Sequence, residues 1–124
     1  MLIFHFFEYK IENMELTKAD KRQLQEVIRK GILRRCEEWL KEAAALINRQ
    51  YDGEENAFDR CMEVTKRSRD YYKEAVRRED YYRNTMLLSG AGELLAKGYI
   101  TMDDIGVCRP EVQAAIRLWA RLDD

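Results

Sequence analysis

Three groups of side chains have the types and spacing that chemistry needs. Glu38 and Glu42 stand one helical turn apart, and Glu55, Asp59 and Glu63 repeat that spacing further along the chain. Carboxylates stacked this way on two neighbouring helices can converge on Mg²⁺, a hard cation that takes oxygen ligands. The segment Lys66-Arg67-Ser68-Arg69-Asp70-Tyr71-Tyr72-Lys73, continued by Arg77, Arg78, Tyr81, Tyr82 and Arg83, interleaves cations with rings. Single-stranded nucleic acid is held in that way, with bases stacked on rings and phosphates on cations. Asp70, Glu74, Glu79 and Asp80 sit among those cations as i,i+4 partners, which argues for a solvated helix face instead. Arg109, Gln113, Arg117 and Arg121 form a row at spacing four, and Arg and Gln suit phosphates and base edges.

Other chemistries lack their residues. Cys36, Cys61 and Cys108 form no short-spaced pair, and the sole histidine is His5, so neither a zinc site nor a Cys/His or Ser/His/Asp nucleophile set is expected. The cysteines read as buried thiols rather than disulfides. Gly90-Ala91-Gly92 lacks the Lys and Ser/Thr of a phosphate loop and reads as a packing point or kink. No catalytic residue, metal ligand set or cofactor is expected.

Two family resemblances are local. Ile105-Gly106-Val107-Cys108-Arg109-Pro110-Glu111-Val112, followed by Ile116, resembles the turn and recognition-helix start of helix-turn-helix proteins, which implies that the next helix enters a major groove. Only four residues separate Thr101 from Gly106, one helical turn where that family has two. The stacked tip carboxylates faintly resemble those of the all-α nucleotide pyrophosphohydrolases, which would make the protein a Mg²⁺-dependent enzyme. The tighter Glu motifs of that family, and the Glu-x-x-His of di-iron bundles, are absent.

Whatever these groups do, helices must position them. The chain has 124 residues, is 46% apolar and 36% charged, and contains only six Gly and one Pro, too few turn residues for an all-β sandwich. Its 22 basic and 23 acidic side chains nearly cancel, and its apolar content can supply a core, which excludes outright disorder. Residues 1–13, MLIFHFFEYKIEN, are the most apolar run, shorter than a bilayer span and without a cleavage-site pattern. They are expected to be a leader or N-terminal extension, with Met14 as a second plausible start, and residues 14–124 a single domain. A cytoplasmic location is expected.

Thr17 and Asp20 form a capping-box pattern ahead of a helical stripe of Leu24, Val27, Ile28, Ile32, Cys36, Trp39, Leu40, Ala43, Leu46 and Ile47. Tyr51-Asp52-Gly53 marks a turn. Phe58, Cys61, Met62, Thr65, Tyr72, Ala75, Val76, Met86 and Leu87 mark the apolar side of a second helix. A short third helix from Glu93 to Lys97 stops at Gly98. Thr101 caps a single turn, and Pro110 opens a last helix that buries Val112, Ala115, Ile116, Trp119 and Leu122. The expected fold is all-α, a long antiparallel, coiled-coil-like helical hairpin (about 17–50 and 55–88) capped by short C-terminal helices. Folding about Gly53 sets Cys36 opposite residue 70, out of disulfide reach of Cys61.

Each long helix measures about 45–50 Å, and two of them cannot bury such stripes against each other alone. Self-association is therefore expected, through a seam that includes Ile32, Trp39, Tyr72 and Val76. Charge is segregated as well: residues 18–35 carry +5 (seven basic, two acidic), 37–63 carry −5 (three and eight), and 66–83 carry +3 (seven and four). A basic base and an acidic tip suit either nucleic acid at the base or the tip of one copy on the base of another. The expected class is an interaction or structural protein that pairs with itself or another protein and does not enter a membrane. A nucleic-acid-associated regulator using Arg109, Gln113, Arg117, Arg121 and the basic base is the alternative.

Overall fold

A computed structural model of the protein describes residues 14–49, 53–83 and 85–123; residues 1–13, including the expected leader, lie outside them. Among the described residues five α-helices run in order: α1 (Lys18–Asn48), α2 (Glu54–Glu79), α3 (Leu87–Ala96), α4 (Met102–Ile105) and α5 (Pro110–Asp123), with a 3₁₀ turn at Asp80–Tyr82. The described residues are all-α, with α1 and α2 forming the antiparallel hairpin and α3 to α5 its cap.

The helix starts follow from local chemistry. Thr17 Oγ1 accepts from Asp20 N at 3.0 Å while Thr17 N donates to the Asp20 carboxylate at 2.9 Å, satisfying two of the free donors at the start of α1. Thr101 and Asp104 repeat the box at α4, and Pro110 opens α5, where no amide donor is needed. Gly98 ends α3 in the left-handed region, φ +81°.

Three expectations are corrected. The second helix stops at Glu79 rather than near residue 88, because Tyr81 turns inward, 4% exposed, onto a notch at Gly90. A Cβ on Gly90 would lie 2.8 Å from Tyr81 Cβ. The third helix begins at Leu87, so Ser89-Gly90-Ala91-Gly92 lies within it; Gly92 likewise admits the α5 backbone, where a Cβ would meet Ala120 N at 3.0 Å. Finally, the apolar side marked for α2 is largely turned away from α1, with only Cys61 and Thr65 bordering Ile47. Phe58, Cys61, Met62, Thr65, Tyr72 and Val76 are all exposed.

The core therefore sits at the base. Leu24, Val27 and Ile28 of α1 join Leu87, Ala91 and Leu94 of α3, then Ile100, Ile105, Val112 and Ile116. Contact is most extensive between α3 and α5, then between α1 and α3, with the hairpin pair behind both. Gly31 lets the cap approach α1: a Cβ there would stand 2.8 Å from Ile100 Cγ2.

Candidate functional site

The two sides of the hairpin differ in chemistry. On the side that meets the cap, the seam between α1 and α2 is polar and aromatic. Arg35 donates to Glu74 through Nε (3.3 Å) and Nη2 (3.1 Å), and Arg78 on α2 also pairs with Glu74. Both guanidiniums lie over the Tyr71 ring, at 5.1 and 5.8 Å from its centroid. Tyr71 stacks on Trp39, centroids 5.3 Å apart, and its hydroxyl donates to Cys36 Sγ at 3.0 Å, one residue from the expected position 70. The Arg78 side chain is 5% exposed, and burial, followed by the neighbouring Arg35 charge, pulls its pKa below the ordinary arginine range. Burial and the contact with Cys36 push the Tyr71 phenol up.

Long-range contacts tie the cap to this side, among them the pairing of Arg77 on α2 with Glu93 on α3. Arg34 holds Asp104 through both guanidinium nitrogens (2.5 and 3.1 Å) and donates to the Tyr99 carbonyl at 2.9 Å. The Tyr99 hydroxyl donates to Glu38 at 3.1 Å.

The opposite side has no such cover. On α1, Leu33, Leu40 and Ile47 recur every seventh residue and are exposed, Leu40 by 65%. At about 100° per residue, Leu33 lies about 160° around α1 from Gly31, where the cap packs. On α2, Phe58 and Met62, and then Tyr72 and Val76, stand four residues apart and are exposed, Tyr72 by 68%, with Thr65 and Arg69 between the two pairs on the same line. Ile47 shares a groove with Ala57, Cys61 and Val64, whereas Arg35, Trp39, Arg67 and Glu74 line the groove on the other side. The two rows thus lie on the side of the hairpin away from the polar groove, and Met62 borders Lys66, Arg69 and Lys73 there.

The expected seam residues divide between these surroundings. Tyr72 and Val76 lie on the open face. Ile32 is half-buried against the core, and Trp39 is half-buried on Tyr71, so both already have partners within the chain. Sequence periodicity alone misses Leu33 and leaves Leu40 and Ile47 undistinguished from the buried stripe. Their seven-residue recurrence was the available signal.

The other candidate groups are not assembled into a site. Arg109 donates to both Asp20 carboxylate oxygens (3.1 and 3.0 Å), and Gln113 donates to the Cys108 carbonyl at 2.6 Å, while Arg117 and Arg121 are exposed. Glu63 pairs with Arg67, and Glu42 lies in the polar groove. The Glu55 side chain lies outside the described residues. Among the described residues, no three His, Cys, Asp or Glu side chains converge as a metal site requires. The three cysteines are free thiols: Cys61 exposed, Cys36 half-buried and Cys108 buried.

What remains chemically available on the open face is burial of apolar surface, which drives association. Among the described residues no helix is long and apolar enough to cross a membrane. No family model matches the chain, and neither a curated protein nor a solved structure matches it.

Proposed function

We propose that the protein acts by binding, as a small helical self-association module whose working surface is the open face of the hairpin. One observation carries this reading: seven large apolar side chains (Leu33, Leu40, Ile47, Phe58, Met62, Tyr72 and Val76) lie exposed in two rows on the side away from the cap. Soluble monomers rarely leave so many large apolar groups of one side in water. Sedimentation equilibrium on the full chain tests it, with Leu40→Glu/Tyr72→Glu as the comparison. The parent protein is expected to associate at micromolar concentration and the double variant to remain monomeric with unchanged helix content. A monomeric parent at about 100 μM, well above the micromolar affinities of ordinary interfaces, overturns the reading.

A second reading, nucleic-acid association, is favoured by the exposure of Arg117 and Arg121 on α5 together with the basic hairpin base. Fluorescence anisotropy with labelled DNA and RNA at about 50 and 200 mM salt separates the two. Phosphate contacts release counterions, so real binding weakens by orders of magnitude across that range.

A further inference from the structure

We infer that the occupant of the open face is a second copy of the chain laid antiparallel, so that the tip of each hairpin covers the base of the other. The inference rests on the self-association reading and adds the geometry of the pair.

From Val76 to Phe58 the face runs about 27 Å along α2, and two helices side by side are about 20 Å wide. Such a patch, corrugated by its side chains, approaches the roughly 800 Å² per partner of a stable interface. Its apolar groups do not fix direction, because exposed residues occur at both ends: Phe58, Met62 and Ile47 towards the turn, Leu33 and Val76 towards the base.

Charge fixes it. The turn region, residues 37–63, carries −5, and the base regions 18–35 and 66–83 carry +5 and +3. On α1 the line of Leu33 and Leu40 continues towards the base through Glu26, flanked by Arg29 and Arg22, all three exposed. A parallel pair sets acidic tip on acidic tip and basic base on basic base. An antiparallel pair, with its two-fold axis close to Leu40, sets each tip on the opposite base. At these separations, near a Debye length, such a difference governs orientation and responds to salt.

Two measurements on the unmodified full chain test this. In sedimentation equilibrium between about 50 and 500 mM salt, antiparallel pairing predicts that the dimer weakens on the order of tenfold as attraction is screened. A parallel pair instead tightens as repulsion is screened. Zero-length carbodiimide coupling of mixed ¹⁵N-labelled and unlabelled protein then maps the contact. The expected result is light-to-heavy links between Lys30 of one copy and carboxylates near the turn of the other, residues 52–59. A link that joins a light peptide to a heavy one can form only between copies, so it reports the partner. A dimer that tightens with salt, is indifferent to it, or links only base to base overturns the antiparallel arrangement while leaving self-association standing. Absence of any dimer overturns both.

Discussion

Asp104 carries two tasks with one carboxylate. It accepts the Arg34 guanidinium, fastening the cap to α1, and it accepts from Thr101 N at 2.7 Å, capping α4. The Arg34 hydrogen bond is the main cause that holds its pKa below the ordinary 3.8; burial pushes the other way, and Thr101 adds to the lowering. Asp20 is lowered too: burial alone would raise it, but hydrogen bonds from Thr17 and Arg109 outweigh that. A carboxyl depressed in the folded state stabilises the fold above its unfolded pKa and loses that contribution as pH falls through the folded value. Thermal unfolding measured from about pH 6 to pH 2 should show stability falling below about pH 4, and Asp104→Asn should flatten that fall. An unchanged acid limb in the variant would refute the assignment. Glu74 offers a second case, as the shared carboxylate of Arg35 and buried Arg78. Glu74→Gln should cost on the order of 3 kcal/mol in urea unfolding, because it leaves charge buried without its partner. Replacing Glu74 and Arg78 together by Leu and Met should recover most of that loss.

Among the elements, the cap depends on close backbone approach. Gly92 lies where α3 meets α5, with Trp119 and the Ala120 amide in the space a side chain would need. Gly92→Ala should destabilise by about 1–3 kcal/mol through forced separation of the two helices. Gly98 is different: nothing stands within 4 Å of its would-be Cβ, but its φ is +81°. Gly98→Ala should cost about 1 kcal/mol through backbone strain, and Gly98→Asn less, since Asn tolerates that region. Chemical denaturation of the three variants ranks them, and equal losses at both glycines would contradict the distinction.

Taken whole, the molecule is packed at one end and open along the other. Leu24, Ile28, Leu87, Leu94 and Ile116 are fully buried around the base, while the distal hairpin keeps large apolar groups in water. Hydrogen exchange in dilute solution should protect residues 24–31, 87–94 and 112–116 most strongly and residues 40–47 and 57–65 least. Raising the concentration should slow exchange in the second set if association covers the face, and leave the first set unchanged.

Much of this was determined by the sequence alone. Capping boxes at Thr17 and Thr101, Pro110 at the head of α5 and a turn at Gly53 are local matters, settled by hydrogen bonds and dihedrals within a few residues. The segregation of charge between base and tip is equally a property of the chain order. Only the tertiary structure decided which apolar row faces inward. The second helix has one apolar row, Phe58 to Val76, and periodicity assigns it to the core, yet α1 is met instead by Tyr71 and Glu74. The physical reason is that the cap already fills the Leu24–Gly31 side of α1, and the Arg77–Glu93 pair ties α2 to α3, which fixes how α2 is rotated against them. Rotation of a helix about its own axis is a long-range outcome. No spacing along one helix records it, because the choice between two faces depends on what the other helices have already covered.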